Sequence, residues 1–263
     1  MTTPSDPLVR MIDIEKRFGG VRAVDGVSLE LHAGEVVGVL GHNGAGKSCL
    51  MRILSGAMIA DGGEVHAAGR RVEIRSPHDA RRQGIETIYQ TLALADHLDA
   101  VANLFLGREL KTRLGNLDEK RMLTEATEVL HRLNPNFRNL RDPVSSLSGG
   151  QRQVIAIARA IHFDVRVLVM DEPTAALGPS ETAMVAELIQ QLRTEGIGIC
   201  LVSHDLHDVF ALCDRVMIMN KGSSVGTHAI GDVTQDDVLS LIIKGSLPGD
   251  WRPRGGADSG VKP

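Results

Sequence analysis

Glu35-Val-Val-Gly-Val-Leu-Gly-His-Asn-Gly-Ala-Gly-Lys-Ser48 is the stretch that decides how this 263-residue chain is read. After the leading acid, Val36 to Leu40 is an apolar, valine-rich run, the composition of a strand buried on both faces. Gly41, His42, Asn43, Gly44, Ala45, Gly46, Lys47 and Ser48 then fit the spacing G-x-x-x-x-G-K-[ST]. Glycines in that pattern let consecutive backbone N–H groups converge on phosphate oxygens without interference from Cβ atoms. Lys47 would place a point charge on the β- and γ-phosphates, and the Ser48 hydroxyl would sit on Mg²⁺. From Ser48 to Leu54 the residues suit a helix, so strand, glycine turn and helix follow in the order a phosphate cradle needs. A nucleoside triphosphate is the expected ligand.

Further along, Val165 to Met170 is a second buried-strand run, and it ends on Asp171-Glu172. A parallel strand of this kind delivers both carboxylates to its C-terminal edge, where Asp171 can hold the Mg²⁺ shell and Glu172 can polarise an attacking water. Ile197 to Val202 is a third such run, stopping at Ser203-His204, so His204 is expected at the same edge as a γ-phosphate contact. Arg215 to Asn220 supplies another strand. Between these, Leu147-Ser-Gly-Gly-Gln151 opens a helix expected from Ser148 to His162, with Val154, Ile157, Ala158 and Ile161 on one buried stripe. Ser148 is a good N-cap, and a capped helix start is also an anion site.

The flanks are less specific. Val9 to Ile14, Val27 to Leu31, Glu64 to Ala68 and Arg71 to Ile74 read as a small antiparallel sheet beside the phosphate-loop core. Ser76-Pro-His-Asp79 starts a short helix over Pro77 to Gln83, and Gly84 stops it. From about Leu92 to Asn139 the pattern is helical, clearest at Ala100 to Gly107 and Thr124 to Leu133, without a strand signal. The expected organisation is one α/β domain over 8–245, with a helical lobe inserted at about 92–162 and a flexible tail over 246–263.

Composition narrows the function classes. A net charge of −4, a pI near 6.2 and 3% aromatic residues argue against a nucleic-acid surface. No apolar run approaches the roughly 18 residues of a membrane span, and the first residues carry no leader pattern, so the cytoplasm is the expected compartment. Cys49, Cys200 and Cys213 are an odd number without metal-type spacing, as reduced thiols would be.

The phosphate loop, Gln90 after Ile88-Tyr89, Leu147-Ser-Gly-Gly-Gln151, the Val-Leu-Val-Met-Asp-Glu strand and His204 resemble the ATP-binding cassette subunits of ABC transporters in identity, order and spacing. The resemblance covers about residues 8 to 245 and implies a mainly parallel core sheet, an N-terminal antiparallel β subdomain and an inserted α-helical subdomain. It implies ATP and Mg²⁺ as ligands, with Phe18 stacking on adenine and Val24 nearby. Phe18 keeps the stacking face but lacks the hydroxyl of the family's usual tyrosine. Gln90 is implied to reach Mg²⁺ and to sense the membrane partner, Glu172 to be the catalytic base and His204 the switch histidine. Ser148, Gly149, Gly150 and Gln151 are implied to act in trans, on the nucleotide of a second copy.

One departure stands out: Ala175-Ala-Leu-Gly178 replaces the usual Ser-Ala-Leu-Asp, removing a carboxylate. With Tyr89-Gln-Thr-Leu-Ala-Leu94 and Asn103-Leu-Phe-Leu-Gly-Arg-Glu109, it resembles the ATPases of ribose-, xylose- and fructose-type importers, here with a single cassette. The implied partners are ATP, a second copy in a homodimer, two integral-membrane permease subunits and, through them, a solute-binding protein. The implied place is the cytoplasmic face of the inner membrane. The alternatives are an importer of another solute, such as branched-chain amino acids, or an ATPase of the same family that acts outside transport.

Overall fold

In the computed structural model, which describes residues 6–138 and 140–247, two sheets set the architecture. In chain order the elements are β1 (Val9–Phe18), β2 (Val21–Leu31), β3 (Val36–Leu40), α1 (Lys47–Leu54), β4 (Gly62–Ala67), β5 (Arg70–Val72), α2 (Pro77–Arg82), β6 (Ile85–Ile88), α3 (Ala100–Phe105), α4 (Glu119–Leu133), α5 (Gly149–Ile161), β7 (Val167–Asp171), α6 (Pro179–Thr194), β8 (Gly198–Val202), α7 (Leu206–Leu212), β9 (Arg215–Asn220), β10 (Ser223–Ala229) and α8 (Gln235–Lys244). The smaller sheet has the order β2-β1-β4-β5 with antiparallel pairs throughout, as the alternating N-terminal runs lead one to expect.

The larger sheet has the order β10-β9-β3-β8-β7-β6. Its β9, β3, β8, β7 and β6 run parallel, and β10 closes one edge antiparallel to β9. Side chains alternate between two cores, as the period of two in a strand requires. Val36, Leu40, Leu168, Met170, Ile199 and Leu201 pack against the helical half, whereas Val37, Val39, Val167, Val169, Cys200 and Val202 pack against α1 and the small sheet. Both faces are covered, which is why these strands read as continuous apolar runs.

Two strands lie outside the sequence expectation. Ile85–Ile88 is four residues long with polar Glu86 and Thr87 at its centre, and Ser223–Ala229 is polar and half exposed, so neither carries a buried-strand signature. Both occupy sheet edges, where pairing partners rather than composition make the strand. In the helical region Phe105, Met122, Ala126, Leu130 and Phe137 are buried together with Val154, Ile155 and Ile157 of α5, joining that region to the main core. The expected flexible tail lies, from residue 248 on, outside the described residues.

Candidate functional site

Parallel strands bring β3 and β7 to the same edge, and an open pocket of about 410 Å³ lies there. Asn43, Gly44, Ala45, Gly46, Lys47 and Ser48 line it together with Ala23, Cys49, Asp171, Glu172 and Val202. Two glycines are sterically required. A Cβ on Gly41 would lie 2.3 Å from the Met219 carbonyl oxygen, and one on Gly46, at φ +102°, would lie 2.2 Å from that of Ala23. Gly46 caps α1 without a side-chain bond, and no acidic residue stands in the first turn, so the helix start is open to an anion. His42 turns Nδ1 onto the Asn43 carbonyl at 2.7 Å.

Lys47 Nζ donates to the carbonyls of Gly41 at 2.7 Å and His42 at 3.1 Å, so the ammonium lies folded over its own loop. Burial pushes its pKa down, and the charges of Glu172 and Asp171 oppose that shift. Asp171 shows the mirror effect: burial, then repulsion from Glu172, raises its pKa, and Arg52 and Lys47 act against the rise. Asp171 and Glu172 thus crowd together in one lining with the Ser48 hydroxyl and the Lys47 ammonium. Among the described residues no three His, Cys, Asp or Glu side chains gather into a metal cage. Ser48 and Asp171 offer the sparse oxygen set that Mg²⁺ tolerates, since that ion keeps waters and shares phosphate oxygens.

Glu172 is the hub of the pocket edge. Its Oε2 accepts from Gln90 Nε2 and its Oε1 from His204 Nδ1, each at 3.0 Å. A carboxylate can only accept, so His204 carries its proton on Nδ1. Residues 90, 172 and 204, far apart in sequence, therefore meet, although Gln90 and His204 lie beside the pocket rather than in its lining.

Ser148 and Gly150 are elsewhere; none of the residues 147–151 lines the phosphate-loop pocket. Ser148 caps α5 in a full capping box, its Oγ accepting from Gln151 N–H and Gln151 Oε1 accepting from Ser148 N–H. Gly149 and Gly150 leave room for neighbours, since Cβ atoms there would press on Leu177 at 2.8 Å and on Met184 at 2.6 Å. Glu181 of α6 completes the arrangement: Oε1 accepts from Gly150 N–H at 3.0 Å and Oε2 from Gly178 N–H at 3.2 Å. Bonds from Gly150, the Ser148 hydroxyl and Gly178 hold its carboxyl below the usual glutamate range.

Phe18 is 49% exposed, with Lys16 Nζ 5.7 Å from its ring centre, and is free to stack. Val24 corrects the expectation placed on it. It is fully buried, in the core beneath the small sheet, and exposed Val21 is the apolar side chain left at that end of the hairpin. The sequence reading also misses Arg159, whose guanidinium donates to the carbonyls of Leu92 and Ala93 and so ties the segment after Gln90 to α5. It misses Glu181 and Asp208 as well; Glu181 has a local bond to Gly178 three residues away, but its bond to Gly150 and that of Asp208 to Thr174 span 31 and 34 positions. A larger groove, about 710 Å³, lies at the opposite strand ends beside Arg81, Arg82 and Arg166, away from these residues.

Strand, glycine loop, helix and acidic strand end define an α/β protein of the phosphate-loop class. The profile of the ABC transporter family matches residues 24–175. The chain is 39% identical over 236 residues to the ribose import ATP-binding protein RbsA of Hahella chejuensis, covering 90% of this chain and 47% of that protein. It is 42% identical over 240 residues to the xylose/arabinose import ATP-binding protein XylG of Sulfolobus acidocaldarius, covering 91% and 95%. It thus spans about half the length of several curated relatives it matches and nearly all of another. The fold matches the ADP conformation of an ATP-binding cassette of an ABC transporter, with TM-score 0.75, 23% identity and coverage of 90% of this chain and 94% of that one. It also matches a cassette solved as a post-hydrolysis dimer with ADP and phosphate, at TM-score 0.71, 24% identity and coverage of 84% and 98%. The chain belongs to the ABC transporter family, as one of its ATP-binding cassettes.

Proposed function

We propose that this chain is the ATP-hydrolysing subunit of an importer, acting as a homodimer that sandwiches two nucleotides and drives two permease subunits at the cytoplasmic face of the inner membrane. The observation that carries this reading is a division of parts. Lys47, Ser48, Asp171 and Glu172 share one pocket, while the capped start of α5 lies outside it. A second copy can bring its Ser148 and Gly150 to that pocket. The ribose and xylose/arabinose import names of the relatives support a monosaccharide as cargo; fructose and delivery by a solute-binding protein are part of the proposal.

The chemistry follows from charge. Phosphoryl transfer to water needs positioning and charge stabilisation more than covalent help from the protein. Lys47 leaves its loop carbonyls for the β- and γ-phosphates, which lie against the open start of α1. Phe18 stacks on the adenine. Mg²⁺, held through Ser48, Asp171 and Gln90, would supply neutralisation of phosphate charge. Glu172 takes the proton of the attacking water, and His204, bonded to its other side, orients it. The partner's α5 brings Ser148 and Gly150 to the γ-phosphate, so that phosphate replaces the Glu181 carboxylate on the Gly150 N–H. Tyr89, the residue before Gln90, and Ala93 of the Arg159-tied segment line a groove of about 310 Å³ with Leu104, Leu106 and Arg108, which is the seat assigned to the permease.

Glu172→Gln tests the reading, because it keeps the side chain's shape and removes the base. With Mg²⁺ and ATP this variant is expected to elute as a dimer by light scattering and to release phosphate at least about 100-fold more slowly than the parent. Normal turnover, or a monomer at saturating ATP, contradicts it.

A further inference from the structure

We infer that Asp208 is a positioning residue for hydrolysis, fixing through Thr174 the turn that carries Glu172 and keeping Glu172 in register with His204. The inference rests on the reading of Glu172 as the group that activates water. Glu172 has φ +51°, a left-handed backbone that a residue with a Cβ adopts only when its surroundings impose it. Its N–H extends the β7–β8 ladder by donating to the Val202 carbonyl at 2.8 Å, which anchors the near side of the turn.

Beyond it comes Pro173, which has no N–H to offer. The turn closes on itself through Ala175 N–H to the Glu172 carbonyl at 3.1 Å and Leu177 N–H to the Thr174 carbonyl at 3.2 Å. Past the proline, the tether to a neighbouring element is Thr174 Oγ1, which donates to Asp208 Oδ2 at 2.6 Å.

Asp208 stands in the first turn of α7, and that helix is capped by Asp205, one residue after His204. The segments 172–174 and 204–208 are thus joined by two rungs, His204 to Glu172 and Thr174 to Asp208. Glu172, Thr174, His204 and Asp208 all line a cavity of about 230 Å³ between those segments. With the second rung gone, the turn keeps its internal bonds but loses its fixed distance from α7, and the left-handed Glu172 is free to relax away from His204.

An acid in the first turn also favours the dipole of α7, a purely structural role that needs no Thr174. Thr174→Val separates the two, since it removes the donor, keeps the shape and leaves Asp208 at the helix start. In steady-state ATPase assays of the full chain, Thr174→Val and Asp208→Ala are each expected to lower kcat about 10- to 100-fold, with KM for Mg·ATP within about twofold. Thr174→Ser should restore most of the rate, and the double variant Thr174→Val/Asp208→Ala should be no slower than the slower single. A Thr174→Val protein with parental kcat, a parallel loss in kcat and KM, or multiplicative losses in the double would overturn the assignment. Should Asp208→Ala fold poorly, the contrast between valine and serine at 174 decides alone. An inactive parent protein would bring down the Glu172 reading and this one with it, whereas an active parent matched by Thr174→Val removes only the role of Asp208.

Discussion

Two helices of this cassette begin at anion-binding ends, and they are finished in opposite ways. α1 starts at Gly46 with no side-chain cap and no acid in its first turn, and its neighbour Lys47 is parked on loop carbonyls within reach. α5 starts at Ser148 with a complete capping box, and Glu181 already sits on the Gly150 N–H. The bare end is open to a ligand directly. The Gly150 N–H of the capped end can take a phosphate only by giving up a carboxylate of its own chain. The first therefore suits resident nucleotide binding, and the second suits a contact that must form late and break again.

The contrast can be sharpened at α5 first. In the Glu172→Gln background, Glu181→Gln weakens the resident anion while leaving an amide oxygen for the Gly150 N–H. Half-maximal dimerisation is expected at about three- to tenfold less ATP, followed by light scattering during nucleotide titration. An unchanged or higher requirement would show that Glu181 is a strut and that the saturated end is not in competition.

A smaller effect is expected at α1. Asp171 ionises under an electrostatic penalty, from burial and from Glu172, so its folded-state pKa is raised. A carboxyl with a raised folded pKa disfavours the fold once pH climbs above it, and protonation relieves that cost. Asp171→Asn should therefore raise the Tm of the nucleotide-free protein by about 1–3 °C at neutral pH, with the advantage shrinking as pH falls through the raised pKa. The same variant should lose the stabilisation that Mg·ATP confers on the parent. A lower Tm at neutral pH would mean that Asp171 is held by attraction, contrary to the crowding described.

How legible all this is in sequence depends on how local each device is. The bare end is a contiguous string, with strand, glycine loop, lysine and helix all within Val36 to Leu54, so its spacing is legible without the distant carbonyls that crowd Gly41 and Gly46. Asp171, Glu172 and His204 are legible for a related reason, since each ends an apolar strand run and parallel strands present their C-terminal ends together. The cap of α5 is legible at Ser148 and Gln151, three residues apart. Its saturation is not, because Glu181 arrives from another helix.

Arg159 and Asp208 are hidden in the same way. Their bonds span 67 and 34 positions and depend on how α5 and α7 lie against loops without periodicity of their own. Val24 is the opposite case, a residue placed in the site by resemblance that strand geometry turns into the core. The edge strands Ile85–Ile88 and Ser223–Ala229 escape because polar edges carry no burial pattern to read.

The sandwich itself is tested most directly by mixing two inactive variants. Lys47→Met removes the charge that binds phosphate, and Ser148→Asp keeps a good N-cap but faces the partner's phosphate with a carboxylate. Each homodimer should be inactive. In a mixed dimer one composite site holds both lesions and the other, the intact loop of the Ser148→Asp copy facing the intact α5 of the Lys47→Met copy, holds none. Phosphate release should return on mixing, to at most about a quarter of the parental rate, because half of randomly paired dimers are mixed and each has one sound site. If the mixture stays as inactive as its components while mixed dimers demonstrably form, the nucleotide is not shared between two copies.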